Sequence, residues 1–580
     1  MHVRFRALAC DFDGTLAVQD RIEPDVKAAL EQARAAGVRL ILVTGRTFFE
    51  LTRVCDCLEL FDAVVAENGA VIYYPASAMI RDLGPAVPAR LLAEFDRRGL
   101  YYQVGRVIVG VARADEGTVR DALGAAGVTC DLVPNRAAIM LLPAGVSKGS
   151  GVEQVLRFME LSPHDVLVLG DAENDLALFD ACGFSACPAD SVAVVRQRAD
   201  WTLPGGAGPG VGLAIRDRIL PGRLPAPQAA RHRIALGWGG ATSEPVTIPA
   251  RGVNVLIHGD THSGKSWLAG ALVERLVSTR HAVCVIDPEG DYRVLSRLPG
   301  VSWTEVEEAA VVDRALEHLE HDPSASVVLD LALLPHGEKV AVVERALRRI
   351  RDMRRQGGRP HWVFLDEAHY LLHEGGVDED ALSFGDRGFC VVTYRTRWLR
   401  PAVAGAIDVW MFARTTDKEE LAYLPAILSA RPDAEAISEA VPHLRRGEFL
   451  LADRGPASGP RATTFMAAPR QTVHVRHLSK YVDSVVPPGC EFLFRDCHGR
   501  VHASANSLQS FRAVVRTVPD DALIHHSRRG DLARWVRDVF RDAELARQIG
   551  KAEVRFRRGE LRGLREMLDT LISTRYGDGG

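Results

Sequence analysis

The stretch ALACDFDGTL, residues 7–16, decides the fold of the first part of the chain. Its apolar start predicts a buried strand, Asp11 and Asp13 follow directly, and Gly14 permits the chain to turn away. Similar short apolar runs recur downstream between Ala/Leu/Arg-rich helical stretches, at 40–43, 64–65 and 166–169. Strands that alternate with helices predict a mostly parallel sheet, which binds ligands at the carboxyl ends of its strands.

Further polar motifs follow the predicted strands. They are Thr44 in VTGR, Lys148 in SKG, and Asp171, Asn174 and Asp175 in GDAEND. In chain order, these motifs offer a carboxylate nucleophile, a neutral donor, a fixed cation and acidic metal ligands. Phosphoryl transfer needs such a set, because the negative oxygens of a phosphate must be neutralised before a carboxylate can attack it.

This succession resembles the haloacid dehalogenase superfamily of phosphohydrolases. The resemblance implies that Asp11 is a nucleophile that forms an aspartyl-phosphate and that Asp13 is the general acid and base. It also implies a phosphate-binding set and a metal-binding set: Thr44, Lys148 and Asn174 for phosphate, and Asp11, Asp13, Asp171 and Asp175 for the metal. Since the protein ligands are oxygens, Mg²⁺ is the expected ion.

A cap is expected between the second and third motifs. The ENGA segment, residues 67–70, resembles the turn that precedes a C2-type cap in Cof-like members of this superfamily. Residues 82–142 then predict a strand, a helix and two strands, similar to the caps of phosphoglycolate and sugar-phosphate phosphatases. A cap excludes water and favours a small phosphate monoester. Arg81, Arg106 and Arg136 are candidate cap contacts, with ordinary surface arginines as the alternative.

A second phosphate-binding motif lies in the middle of the chain. GDTHSGKS fits GxxxxGK[ST] between an apolar run and a helical stretch, and contributes Gly259, Asp260, Thr261, His262, Ser263, Gly264, Lys265 and Ser266. Its backbone N–H groups would hold ATP phosphates, Lys265 the outer phosphates and Ser266 a second Mg²⁺. Further along, HWVFLDEAH places Asp366 as a metal ligand and Glu367 as the group that polarises the attacking water.

Several elements around these motifs resemble HerA/FtsK-type P-loop ATPases. They are VIDPEGDY at 285–292, GFCVVTYRTRWL with Thr393 at the sensor position, and DVWMFARTTDKEEL. Tyr394 stands where the family usually has Gln. The resemblance implies ring hexamers with ATP at subunit interfaces, for which Arg395, Arg397 and Arg414 are candidate arginine fingers or ordinary surface arginines. The arginines of segment 339–355 could line a pore for DNA or form a solvated basic face.

The predicted organisation accounts for all 580 residues. We expect a Rossmann-like α/β hydrolase domain over 1–220 with its cap at about 82–142, a Gly/Pro linker over 221–231, a RecA-like P-loop domain over 232–468 and a small α+β domain over 469–580. In the last, Cys490, Cys497, His498 and His502 match no standard zinc spacing, so an interaction module is the preferred interpretation.

Composition narrows the functional class without selecting a partner. With 71 Lys+Arg against 75 Asp+Glu, the net charge is −4, so the chain as a whole is not basic enough to indicate nucleic-acid binding. Ten scattered cysteines and the lack of a leader or a long apolar run predict a cytoplasmic protein.

Two functional alternatives to a phosphatase fused to an ATP-hydrolysing motor or assembly domain stay open. One is a bifunctional kinase-phosphatase that acts on a polynucleotide or a metabolite. The other is a metabolite phosphatase regulated by a nucleotide-binding platform. Partners implied are a small phosphate ester, ATP and further copies of the chain, with DNA left open and no membrane expected.

Overall fold

The structure, a computed structural model, describes residues 5–135, 137–225, 229–239, 244–428, 431–454, 462–472, 486, 490–540, 542–559 and 563–576. Its packing separates two units. One contains Met1–Ile286, Leu295–Leu329 and Leu334–Thr472, and the other Asp287–Val294, Asp330–Leu333 and Val473–Gly580. Among the described helices, none combines the length and the apolar character that a membrane crossing requires. The domain boundaries given above remain predictions.

The described residues of the N-terminal part form fourteen strands and eight helices. The strands are β1 (Ala7–Asp11), β2 (Ala17–Val18), β3 (Arg21–Ile22), β4 (Arg39–Val43), β5 (Ala63–Ala66), β6 (Val71–Tyr74), β7 (Met79–Asp82), β8 (Tyr102–Val104), β9 (Val109–Ala112), β10 (Asp131–Asn135), β11 (Ala138–Leu142), β12 (Val166–Leu169), β13 (Phe184–Cys187) and β14 (Trp201–Thr202). The helices are α1 (Pro24–Ala35), α2 (Phe48–Val54), α3 (Ala89–Arg98), α4 (Glu116–Ala126), α5 (Lys148–Phe158), α6 (Leu176–Ala181), α7 (Ala193–Arg198) and α8 (Pro209–Ala214).

The predicted sheet is present and has eight strands in the order β14-β13-β12-β1-β4-β5-β6-β7. From β14 to β5 the pairing is parallel, and β6 and β7 add an antiparallel edge. Leu8 and Leu40 belong to one buried cluster, while Ala9 and Ile41 belong to another. Because both faces are covered, these strands are apolar throughout rather than alternating.

A second, antiparallel sheet with the order β10-β11-β9-β8 lies in the region predicted to form the cap. The predicted strand, helix and two strands correspond to β9, α4, β10 and β11. Sequence analysis missed α3 and β8. The signal for α3 was present, because Leu91 and Phe95 are four residues apart, both are buried against the cap sheet's core, and Gly99 ends the helix with a left-handed φ of 67°.

Within the described ranges, the middle part contains eleven strands and six helices. The strands are β15 (Arg233–Gly239), β16 (Pro245–Pro249), β17 (Val255–His258), β18 (Val283–Asp287), β19 (Val301–Glu305), β20 (Ser326–Asp330), β21 (Trp362–Leu365), β22 (Phe389–Thr393), β23 (Val409–Phe412), β24 (Glu448–Asp453) and β25 (Ala462–Ala467). The helices are α9 (Lys265–Ser278), α10 (Ala309–His321), α11 (His336–Gly357), α12 (Pro401–Gly405), α13 (Lys418–Ile427) and α14 (Ala434–Ala440).

These strands form one sheet in the order β16-β15-β25-β24-β23-β17-β22-β21-β18-β20-β19. Its centre, from β23 to β18, is parallel. Strand β22 lies between β17, which precedes the GDTHSGKS loop, and β21, which precedes Asp366. The motifs that follow these three strands therefore meet at one edge of the sheet.

In the C-terminal unit, the residues that the structure describes form a hairpin and five helices. They are β26 (Phe492–Arg495), β27 (Val501–Ala505), α15 (Leu508–Thr517), α16 (Asp520–Arg529), α17 (Asp531–Trp535), α18 (Ala543–Arg557) and α19 (Leu564–Tyr576). The two strands pair antiparallel on either side of Gly499. Phe511 stacks on Trp535 at a centroid distance of 4.9 Å in the core of this unit. Cys490 and Cys497 are free and exposed, and the zinc interpretation gains no support from them.

Candidate active sites

The first site lies where β12, β1 and β4 end, next to the start of α5. Asp11 is the last residue of β1, Thr44 follows β4, and Lys148 is the first residue of α5, which Ser147 caps. Lys148 Nζ lies 2.6 Å from Asp11 Oδ1 and 2.7 Å from Asp175 Oδ1. The structure therefore brings together residues that are 137 positions apart in the chain.

The acidic loop after β12 is held by its own carboxylate. Asp175 Oδ2 accepts hydrogen bonds from the backbone N–H groups of Asp171 and Ala172 at 2.9 and 3.0 Å. Gly170 permits this loop, because a Cβ there would come within 2.5 Å of the Asp175 carboxyl carbon. The side chain of Asn174 bonds instead to that of Asn68, at 2.8 Å.

The carboxylates of Asp11, Asp171 and Asp175 form a buried cluster, with an oxygen of each within 4.8 Å of the others. Burial raises the pKa of Asp11 well above its usual value; the carboxylates of Asp175 and Asp171 add to this, and Lys148 opposes it. Burial opposes the protonated form of Lys148, but Asp11 and Asp175 outweigh it and raise the pKa of the ammonium group. Three carboxylates facing one ammonium group leave an excess of negative charge, and oxygen donors at this spacing fit Mg²⁺.

Asp13 stands apart from this cluster. Its side chain is 43% exposed, and Arg46 binds both of its oxygens, Nε to Oδ2 at 2.8 Å and Nη2 to Oδ1 at 2.6 Å. Sequence analysis missed Arg46, although it is the last residue of the VTGR motif. The backbone N–H of Arg46 also donates to Thr44 Oγ1 at 3.1 Å, so the two residues of this motif are fixed together.

Glu67 is a second residue that sequence analysis missed. Its carboxylate is fully buried and accepts backbone hydrogen bonds from Phe48 at the start of α2 and from Arg106, Val107 and Ile108 just before β9. It therefore ties the parallel sheet's layer to the small antiparallel sheet. Of the candidate cap contacts, Arg106 pairs with Asp82 at 3.0 Å, Arg81 is exposed, and Arg136 lies outside the described residues.

The second site is the loop between β17 and α9. Lys265 begins α9, and its Nζ donates to the backbone oxygen of Asp260 at 2.9 Å. The Asp260 carboxylate in turn accepts from the backbone and side chain of Thr416, at 2.7 and 2.6 Å. Gly264, with a φ of 106°, permits the turn into the helix. The loop thus has the strand–loop–helix context that its sequence predicted.

Residues at the ends of β21 and β22 complete this site. Thr393 Oγ1 and Glu367 Oε2 lie 3.2 and 3.5 Å from Nδ1 of the same buried side chain, His369. The backbone N–H of Glu367 donates to Asp366 Oδ1 at 3.0 Å. The ring of Tyr394 lies 5.7 Å from Lys265 Nζ. Sequence analysis identified Tyr394 as a departure from the family pattern but missed His369.

The candidate arginines make contacts within the chain. Arg395 pairs with Asp417 at 2.8 Å and Arg397 with Glu419 at 2.5 Å, while Arg414 is exposed. On α11, Arg349 pairs with Glu320, and the buried Arg354 donates to backbone oxygens, including that of Pro360 at 2.8 Å.

Two parts of the chain are similar to known proteins. Residues 8–102 and 134–215 match the haloacid dehalogenase-like hydrolases. The phosphoglycolate phosphatase of Methanothermobacter thermautotrophicus is 33% identical over 221 residues, which cover 36% of this chain and 97% of that protein. The chain belongs to the haloacid dehalogenase-like hydrolases. The phosphoglycolate phosphatase of Halorubrum lacusprofundi is 30% identical over 205 residues, 33% of this chain and 88% of that protein.

Residues 253–349 match the central domain of the helicase HerA. Among solved structures, a haloacid dehalogenase-like hydrolase from B. subtilis has a TM-score of 0.32 and 16% identity, covering 37% of this chain and 99% of that chain. The predicted resemblances and the mixed α/β class are confirmed. So is the predicted enzyme class, a phosphatase joined to a HerA-type ATPase domain.

Proposed function

We propose that the first site hydrolyses a small phosphate monoester through an aspartyl-phosphate on Asp11. The observation that carries this proposal is the buried contact of Lys148 with both Asp11 and Asp175. It keeps a cation beside the nucleophile, where it can neutralise the oxygens of an incoming phosphate. Thr44 and Asn174 would add neutral donors to the same phosphate.

The reaction divides into two displacements. An oxygen of Asp11 attacks phosphorus, the bond from phosphorus to the ester oxygen breaks, and Asp13 gives a proton to the departing alcohol. Water then attacks the phosphorus of the aspartyl-phosphate and gives its proton to Asp13, which frees phosphate and restores Asp11. Because Arg46 holds both oxygens of Asp13, this carboxyl must leave the ion pair to carry a proton. We infer that Arg46 positions Asp13 between turnovers.

Mg²⁺ fits the buried carboxylates of this site, and Asp11, Asp171 and Asp175 would hold it together with the backbone oxygen of Asp13. The bound ion would supply positive charge to the phosphate and lower the repulsion among the carboxylates. The relatives named above are phosphoglycolate phosphatases, which makes 2-phosphoglycolate the first substrate to test, followed by sugar phosphates.

The test compares Asp11→Asn with Asp25→Asn, a change at an exposed position of α1. Asp11→Asn should abolish phosphatase activity toward every ester tried and leave ATP hydrolysis intact, whereas Asp25→Asn should retain both. Phosphatase activity that survives in Asp11→Asn would refute the proposed nucleophile. Loss of activity on chelation and its return with Mg²⁺ would support the metal assignment.

For the second site we propose ATP hydrolysis that drives a motor or an assembly. Lys265 and the loop around it would bind the phosphates, Ser266 and Asp366 a second Mg²⁺, Glu367 the attacking water and Thr393 the γ-phosphate. Lys265→Ala should abolish ATP hydrolysis and spare the phosphatase. Transfer of the γ-phosphate to a hydroxyl acceptor rather than to water would instead favour the kinase-phosphatase alternative.

Oligomeric state separates the two roles that remain for this domain. A ring of chains formed with a non-hydrolysable ATP analogue, together with DNA-stimulated hydrolysis, would support a motor. A monomer that binds ATP without turnover would support the nucleotide-binding platform. Mass measurement and a steady-state ATPase assay, with and without duplex DNA, distinguish these outcomes.

A further inference from the structure

Buried and half-buried polar groups join the hydrolase sheet to the ATPase sheet at the ends where their strands begin. On the hydrolase side these groups belong to Arg6, His164 and Asp165, and on the ATPase side to Arg251, His281, Arg359 and His361. Asp165, His281, Arg359 and His361 are each less than 10% exposed. Such a set differs from a flexible Gly/Pro connection, for which relative motion of the two domains is the default expectation.

Asp165 is the centre of the contact. Arg251 Nη2 lies 2.7 Å from Asp165 Oδ1, and His361 Nε2 lies 3.5 Å from Oδ2. Burial by itself would raise the pKa of Asp165, but Arg251 and His361 outweigh it and hold the pKa below its usual value. Gly358 allows the close approach, because its φ is 78° and a Cβ would lie 2.8 Å from Asp165 Oδ2.

Three histidine rings pack around this ion pair. His164 stacks on His281 with a centroid distance of 3.7 Å, and both meet His361 edge-on at 5.4 and 5.5 Å. His164 Nε2 lies 2.7 Å from the backbone oxygen of Thr279, and His361 Nδ1 accepts the backbone N–H of Ala282 at 2.8 Å.

Hydrogen bonds to backbone oxygens extend the contact on both sides. Arg6 Nη2 donates to the oxygens of Arg354 and Arg355 at the end of α11, at 2.7 Å each. Arg359 Nη2 donates to the oxygen of Glu160 at 2.8 Å and to that of Glu320 at 3.0 Å. Donors and acceptors therefore come from both domains, and separating the domains would leave buried groups unpaired.

Four of the contact residues adjoin an element that leads to a proposed catalytic or phosphate-binding group. Arg6 precedes β1, which ends at Asp11, and Asp165 precedes β12, which leads to Asp171. On the other side, His361 precedes β21, which leads to Asp366 and Glu367, and Thr279 follows α9, which begins at Lys265. Each site thus lies at the carboxyl ends of the strands of its sheet, whereas the two sheets contact each other at the amino ends of their strands.

We propose that this contact makes the hydrolase and ATPase domains one cooperative unit, so that a nucleotide bound at Lys265 also stabilises the phosphatase sheet. The physical reason is that breaking a buried ion pair leaves an uncompensated charge, which is strongly unfavourable. If either domain unfolds at this surface, the buried groups of the other domain lose their partners, so unfolding of one domain also destabilises the other. The nucleotide half of the proposal rests on the ATP site proposed above.

The test is pulsed hydrogen exchange on the full-length protein during heating, read by mass spectrometry at β12 and β21. In the unsubstituted protein both strands should lose protection at one midpoint, and saturating ADP should raise both midpoints by about 5 °C. Arg251→Ala should separate the midpoints and confine the ADP shift to β21. Arg345→Ala on α11, which removes an exposed ion pair with Asp313 of α10, is the matched control and should change neither the common midpoint nor its shift with ADP.

Gly358→Ala perturbs the same contact by a different route and should give the same separation, so the test stands even if Arg251→Ala fails to fold. Separate midpoints in the unsubstituted protein would overturn the proposal, as would a common midpoint that persists in both variants. If ADP raises the midpoint of neither strand, the proposed nucleotide site is wrong. The cooperative unit is then still tested by whether β12 and β21 share a midpoint in the unsubstituted protein and lose it in the variants.

Discussion

Replacing Glu67 with Gln should loosen the small antiparallel sheet from the hydrolase core. Glu67 Oε1 accepts the backbone N–H groups of Arg106 at 2.8 Å and Phe48 at 3.3 Å, and Oε2 accepts those of Val107 at 2.9 Å and Ile108 at 3.2 Å. In Gln one oxygen becomes an NH₂ group, so two buried N–H donors lose their acceptor and face another donor.

The expected loss of stability follows from the two N–H donors that lose their acceptor. An unsatisfied buried donor costs about 1–3 kcal/mol, so two of them should lower the free energy of opening by about 2–6 kcal/mol. Native-state hydrogen exchange over residues 105–112 measures this free energy directly. Phosphatase kcat/KM should fall together with it, because a loosened cap excludes water less well.

Two further variants make the test specific. Gly105→Ala should have a similar effect, since a Cβ at Gly105 would lie 2.6 Å from Glu67 Oε2. Glu59→Gln changes an exposed glutamate and should leave exchange over 105–112 unaltered. A decrease of less than about 1 kcal/mol in the free energy of opening for Glu67→Gln would refute the proposed role of Glu67, because a single unsatisfied donor costs more than that.

Three other outcomes are expected. Burial raises the pKa of Glu553 to about 7. The contribution of this carboxyl group to stability is therefore present below its ordinary pKa of 4.5 and is lost as pH rises through 7. Glu553→Gln should consequently stabilise the C-terminal unit against urea more at pH 8 than at pH 5. Burial lowers the pKa of His164 to about 3, so the contribution of this side chain to the unfolding free energy should fall by about 1.4 kcal/mol per pH unit as pH decreases from 6.5, and His164→Gln should reduce the measured slope by that amount. His369→Ala should lower the ATP hydrolysis rate by about 10²-fold with nucleotide affinity retained, because Glu367 and Thr393 lose the side chain between them; an unchanged rate in a steady-state assay would contradict this.

Local sequence patterns were sufficient to predict the two sheets and the strand ends at which the candidate sites lie. Runs such as 7–10 and 166–169 are apolar throughout because both faces of a parallel sheet are buried, and the polar residues after them fall at one edge. These patterns are local, so they can be read without knowing which strand pairs with which. The phosphate loop at 259–266 is local for the same reason.

The partners of the polar side chains in the two sites could be identified only from the three-dimensional fold. Arg46 with Asp13, Glu67 with the backbone before β9, and His369 between Glu367 and Thr393 join groups that are not marked by any shared local pattern. The contact between the domains is the extreme case, because Arg6 and the oxygen of Arg354 are 348 residues apart. Burial and charge act through space, so the partner of a buried polar group depends on the fold rather than on its neighbours in the chain.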